Sequence, residues 1–370
     1  MKTTALPIII ILSLVCIGLL PRVQAVNPPP DGGYPGGNTA EGDNALLNVN
    51  TAVGINNTAV GANALRDDIT GYYNVAVGFG ALAGNSLGNF NVAIGTEALP
   101  NNNANFNVAV GFRVAFMNST GRHLTGIGAA ALRNNTNGNY NTAIGADALK
   151  DNTVGDNNTA TGSFALSSNT TGGGNTANGD HALFSNREAN FNTANGFSAL
   201  HDNTFGVANT ATGVSALEHN ITGTLNTAIG SNTLLSNRSG SENIAAGGNA
   251  LRNNSAGRQN TAIGAKALYD NTAHNNTAIG YQALYNSTSG DRSVAVGAFA
   301  GGNVLTASNV ICIGAAGADV SDTTWLGNVY GVTTQTGTTA PVVVSADGQL
   351  GTVAFGGAVQ ERHCPNRESE

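Results

Sequence analysis

The sequence predicts an all-β parallel solenoid (β-roll) of about 16 coils with a 17-residue period. First, the pattern Asn-Thr-Ala-Ile/Val-Gly recurs, and its glycine falls on Gly61, Gly78, Gly95 and so on through Gly145, Gly162 and Gly264 to Gly314. Thirteen of the fifteen steps are 17 residues and two are 16, which means one small unit stacked on its neighbours and not a chain of globular domains. Second, most marker glycines are preceded by a β-branched pair around a small residue, as in Thr142-Ala143-Ile144, which suits a strand. Third, glycine makes up 50 of 370 residues and only 10% are charged, a composition that disfavours helices.

The chain opens with Lys2 and an apolar stretch from Ala5 to Leu20, then Val23-Gln24-Ala25, with small residues where a signal peptidase cuts. Residues 1–25 therefore read as a signal peptide cleaved after Ala25, which implies a secreted or cell-surface protein without a transmembrane segment in the mature chain. Residues 26–37 are a Pro/Gly-rich linker. Residues 38–314 are the repeats, whose irregular first coils are expected of a cap.

Within the unit that starts at Asn141, the strand ending at Gly145 is followed by Ala148-Leu149, and this Ala-Leu pair recurs in nearly every unit, which predicts two short strands per coil. Side chains alternate along a strand, so Thr142 and Ile144 share one face and Ala143 occupies the other. Both faces being apolar, a second buried face needs a partner, and a small repeated Ala suits close approach of identical chains. Ala143 and Ala262 are thus expected on a threefold axis, with Ile144 and Leu149 inside the coil. The residue before the marker glycine becomes Thr161, Asn178, Asn195 and Thr212 in four consecutive coils, and these are expected to form an internal hydrogen-bonded Asn/Thr ladder.

Positions five and six past each glycine vary freely and mark an exposed edge. There His201 should stack on Glu218 and Asp202 on His219, one coil after Asp180 and His181. Such a group has the chemistry of a divalent-metal site, but solvated cross-coil pairs are the expected reading, with no metal and no other cofactor. Beyond Gly314 the spacing shrinks to 13, and the Ala position becomes Cys312 and then Trp325. A wide indole does not fit a packed row of Ala, so Trp325 is expected to cap the open lower edge, with Cys312 a buried, inert thiol. Residues 315–355 are a connector and cap, and 356–370 a polar tail.

The repeats Asn141-Thr142-Ala143-Ile144-Gly145, Asn260-Thr261-Ala262-Ile263-Gly264 and Ser293-Val294-Ala295-Val296-Gly297 resemble the head repeats of YadA-like trimeric autotransporter adhesins. The resemblance covers residues 38–330 and implies a left-handed parallel β-roll that associates as a homotrimer. It departs in period, since those heads use about 14 residues per coil. The segment from Thr324 to Val332, with Pro341-Val342-Val343-Val344 and Asp347-Gly348-Gln349-Leu350-Gly351, is similar to the connector before the chaperone domain of phage-type tail-fibre proteins, although that chaperone is absent here.

A net charge of −7 with pI 5.3 offers no basic stripe for nucleic acid. No nucleophile recurs with a base in reach, and the clustered acids and aromatic platforms of glycan-cleaving solenoids are lacking, so no enzyme is expected. The sequence points to an exported fibre or adhesin head, a homotrimer presenting a repetitive polar surface to a host or surface receptor, a glycan or matrix. A tail-fibre-like shaft and an ice-binding solenoid are the alternatives. The last is disfavoured because Thr-x-Thr appears only at Thr159/Thr161 and Thr210/Thr212.

Overall fold

A three-residue strand cannot stand alone, and this fold is stable only because every strand stacks on its own repeat. The computed structural model describes residues 34–328 and two short strands at 342–344 and 350–352. Eighteen parallel strands run from β1 (Thr39–Glu41) and β2 (Thr58–Val60) through β7 (Thr142–Ile144) to β17 (Ile311–Ile313) and β18 (Thr324–Leu326). They form one sheet of a β-solenoid of about 17 turns, and no helix occurs among the described residues. Register is one-to-one: Thr142 pairs with Thr159, Ala143 with Ala160 and Ile144 with Thr161. Each repeat position therefore stacks on its counterpart one coil away. The stack runs past Gly314, because β18 pairs with β17, placing Trp325 opposite Cys312. A separate unit, Gly327–Glu370, contains the antiparallel pair β19 (Val342–Val344) and β20 (Leu350–Thr352). The expected signal peptide and polar tail lie outside the described residues, as do residues 26–33 of the linker. Its last residues do join the fold, since Tyr34 bridges Asn38 and packs against the first coil.

The structure reverses the expected faces of the strand. Ala143 and Ala262 are fully buried within a single chain, whereas Thr142 is half-buried and Ile144 is 39% exposed. Alternation does make two faces, but the narrow coil interior already receives Ala148 and Leu149 from the far side and leaves room only for Ala. Alanine therefore cannot line a threefold axis. Thr161, Asn178, Asn195 and Thr212 likewise project outward with the Ile row, and no internal ladder forms there.

The second expected strand is also absent. Leu149 and its counterparts adopt left-handed backbone, φ 49° at Leu149, which no strand accommodates. The N–H of Leu149 nevertheless donates to the Ala165 carbonyl of the next coil (3.0 Å). Coil-to-coil hydrogen bonding thus continues through a turn, and burial of the Leu side chain, worth about 2 kcal/mol, offsets the strained φ. At Gly145 the constraint is harsher. Its φ is 138°, and a Cβ there would collide with the carbonyl oxygen of Gly162 on the next coil, with the same geometry at Gly162 and Gly264.

The interior is also lined with polar side chains. Two columns of fully buried asparagines run along it, one four residues before the marker glycine and one seven after it. In the first, Asn141 Oδ1 accepts the backbone N–H of Asn158 (2.9 Å) and Asn141 Nδ2 donates to the Gly155 carbonyl (2.7 Å). In the second, Asn152 Nδ2 donates to Asn135 Oδ1 (2.7 Å) and to the Gly155 carbonyl (3.0 Å). Each amide is satisfied by the coil beside it, so each link contributes about 1 kcal/mol, and each broken link orphans its neighbour. The 16-residue coils keep both columns by losing a residue in the outer turn, where Asn107 Nδ2 donates to Asn102 Oδ1 (2.9 Å).

Both ends depart from the repeat. The second column begins at Asp68, whose carboxylate accepts from Gly71 N–H (3.0 Å), Asn85 Nδ2 (3.0 Å) and Asn57 Nδ2 (3.1 Å). Burial pushes its pKa up to about 7, against the opposing hydrogen bonds from Asn85 and Gly71. At the other end Asp319 stands in for a missing coil. Its Oδ1 accepts the N–H groups of Thr306 (2.8 Å), Ala307 (2.7 Å) and Leu305 (2.9 Å), and these bonds hold its pKa down to about 2. Trp325 takes the inner position of β18 and remains 38% exposed, with its Nε1 donating to Thr323 Oγ1 (3.0 Å). Cys312 is buried as expected, and burial raises its pKa.

Two tests follow from this interior. Ala143→Leu should unfold single chains more readily, by about 1 to 3 kcal/mol, because it overpacks the coil and not an interface; chemical denaturation at several protein concentrations should show a loss independent of concentration. Asp68 has a folded pKa above its unfolded value, so its contribution is fully present below pH about 4 and is lost as pH rises through about 7. The native chain should lose on the order of 4 kcal/mol over that window, at about 1.4 kcal/mol for each pH unit between the two pKa values, and Asp68→Asn, which restores the amide column, should remove this dependence in denaturation curves measured from pH 4 to 8.

Candidate functional site

Parallel register turns an outward-facing pair of residues into two rows running the length of the molecule. The row three residues before each marker glycine is Thr, Val or Ile in all eighteen strands. The row just before the glycine holds Val60, Ile94, Ile127, Ile144, Ile229, Ile263, Ile279, Val296 and Ile313, each between 37% and 50% exposed. Large β-branched side chains are thus left in water on one continuous sheet face. Contiguous exposed apolar surface of this kind marks a contact site.

Between β2 and β17 the face turns polar once, at Thr161, Asn178, Asn195 and Thr212 on β8 (Thr159–Thr161), β9 (Thr176–Asn178), β10 (Thr193–Asn195) and β11 (Thr210–Thr212). Asn178, Asn195 and Thr212 are exposed, and Thr161 is half-buried. The row beside them stays Thr throughout and forms, from Thr125 to Thr227, seven consecutive outward threonines.

Of the residues expected to form a polar cluster, the structure brings together three. Asp202 accepts from His201 Nδ1–H through Oδ1 (2.6 Å) and from His219 Nδ1–H of the next coil through Oδ2 (2.8 Å). Partial burial pushes the Asp202 carboxyl up, but the hydrogen bonds from His219 and His201 outweigh it and leave its pKa below the usual range. Glu218 stays outside the cluster. Only its backbone carbonyl takes part, accepting the Asp202 N–H (2.8 Å), and the ring of His201 packs instead on Phe184 (5.2 Å between centroids). His181 bonds its own neighbour Asp180. Among the described residues no group of three or more His, Cys, Asp or Glu is placed to hold a metal.

Sequence reasoning missed an aromatic column. Tyr73, Phe90, Phe106, His123 and Tyr140 each sit five residues before a marker glycine and stack with centroids 4.8 to 5.3 Å apart and planes within 10°. All five have left-handed backbone, φ 55° to 61°, where bulky residues are unusual. Their spacing was present in the sequence, but only the turn conformation aims the rings at one another. The ring faces cover each other and leave edges outward, so the column stiffens the turn and is not a platform on which a sugar stacks.

Solvent-screened pairs of this type are worth under about 1 kcal/mol. His219→Ala should therefore change stability by less than that, and adding zinc or calcium to about 1 mM should leave the melting temperature where it was, since any ion binding only the folded chain would raise it.

No helix among the described residues is long and apolar enough to cross a membrane. No family model matches this chain and no curated protein is similar to it, so its functional reading comes from the outward ladder itself.

Proposed function

We propose that this chain is an exported, non-enzymatic fibre or adhesin head that works as a homotrimer, with the remaining coil surface presenting a repetitive polar array for attachment. The observation that carries this reading is the outward Thr/Val/Ile ladder. Eighteen strands at about 4.8 Å spacing give a face about 80 Å long and about 10 Å wide, or about 800 Å² per copy. That is the area a stable protein interface buries on each partner. The occupant favoured is another copy of this chain, because the two partly apolar blocks and the polar block between them match themselves when identical faces meet. The turns on the opposite side, rich in Asn, Thr, Asp and Gly, stay exposed for attachment.

Solution mass measured by light scattering tests the reading, with three chain masses expected for the native protein. Ile144→Lys combined with Ile263→Lys adds cations that face each other across the interface while leaving the coil interior untouched. The double variant should run as a folded single chain, with an affinity loss of at least about 100-fold from several kcal/mol of like-charge juxtaposition. A native chain of single mass would remove the self-association.

The seven consecutive outward threonines favour a second reading, an ice-binding face, in which a regular array of hydroxyl and methyl groups orders water. It predicts a monomer whose solutions depress the freezing point below the melting point of ice. A trimer with no such gap leaves the first reading in place.

A further inference from the structure

We infer that Thr161, Asn178, Asn195 and Thr212 form a polar lock that fixes the axial register in which copies of this chain meet along the outward ladder; the inference rests on the self-association proposed above. A ladder of near-identical coils has a built-in ambiguity. Sliding one copy past another by one coil, about 4.8 Å, brings Val or Ile against Val or Ile again with little change in contacts. Something must distinguish the correct offset.

The row before the marker glycines carries that distinction. Between Glu41 on β1 and Leu326 on β18 it has six apolar members (Val60, Val77, Ile94, Val110, Ile127 and Ile144), then the four polar ones, then six apolar members from Ile229 to Ile313, Ala246 among them. Nothing inside the coil requires the interruption. Beneath it Ala160, Ala177, Ala194 and Ala211 are fully buried as elsewhere, and both asparagine columns continue unbroken, as through Asn175 and Asn192 and through Asn186 and Asn203. The side chains of Asn178 and Asn195 make no hydrogen bond among the described residues, so their amides are free to bond another copy.

At zero offset, the amides and hydroxyls of the block meet their equivalents and satisfy one another. At an offset of one coil a Thr hydroxyl at each end of the block faces an aliphatic side chain without a partner, and from two coils on an Asn amide does too, so the penalty grows with the number of coils slipped, up to four. A buried polar residue in an apolar seam sets register by this same asymmetry. The order Thr-Asn-Asn-Thr reads the same in both directions, so the lock also tolerates antiparallel copies. We assign the parallel arrangement, because a threefold axis along the solenoid permits no other.

Disulfide coupling between copies reads the register directly. In a background of Cys16→Ser, Cys312→Ala and Cys364→Ser, Ile94→Cys chains should couple 94 to 94 on mild oxidation. In a mixture with Val110→Cys chains, one coil away, coupling of 94 to 110 should stay below about a tenth of that. Replacing all four block residues with Ile, which touches no interior atom, should retain assembly and raise 94–110 coupling to a level comparable with 94–94. An assembled Ile-block variant that still excludes 94–110 coupling would show that the polar block does not set register. Coupling of Ile94→Cys to an Ile279→Cys chain in place of 94–94 would overturn the parallel arrangement. A native chain that scatters as a monomer would instead remove the self-association on which the lock depends, so the two failures are separable.

Discussion

Everything in this molecule depends on like side chains stacking on like side chains at the strand spacing. The asparagine columns make the dependence plain. A carboxamide has a donor at one side and an acceptor at the other, so a row of them, each one coil from the next, satisfies itself and also takes up the backbone carbonyls that a tight turn leaves without partners. That arrangement allows a buried interior with very little apolar volume. Most coils contribute two Ala and one Leu, and the amides supply the rest. It also explains why the repeat tolerates so little change at its buried positions and so much at its rim.

A solenoid built in this way exports its irregularities. Where a coil is one residue short, the loss falls in an outer turn and the columns close over it through Asn102 and Asn107. Where the stack ends, the repeat can no longer answer its own hydrogen bonds, and a carboxylate takes over. Asp319 gathers three N–H groups that a further coil would have bonded, and its pKa falls because the charged form is the one those donors favour. Asp68 at the other end shows the opposite balance, since it occupies a buried amide site where burial outweighs its donors. The same residue type is thus driven in opposite directions by what surrounds each end.

The same logic assigns the outward face its importance. Interior and turn positions are occupied by what the coil needs to close, but nothing in a single chain calls for two rows of Thr, Val and Ile in solvent. Short parallel strands prefer β-branched residues, which accounts for part of the choice. Preference for strands does not account for a polar block confined to one row, over four adjacent coils, while the neighbouring row stays Thr. The asymmetry between those two rows is the feature of the surface that single-chain stability leaves unexplained and that the proposed contact with another copy would explain.

The sequence by itself determined the period, the parallel stacking, the net negative charge and the burial of Cys312, because each follows from recurrence or composition and survives without knowing a single dihedral angle. It also showed that Thr142 and Ile144 lie on one side of the strand and Ala143 on the other. Only the tertiary structure decided which side is inside. Alternation defines two faces symmetrically, and the choice between them depends on how much room the far wall of the coil leaves, which is set by Leu149 in a left-handed turn that its apolar character had disguised as a strand. The burial of the asparagines was hidden for a related reason. Asn is a turn residue by local preference, and only a neighbouring coil at hydrogen-bonding distance makes it an interior one.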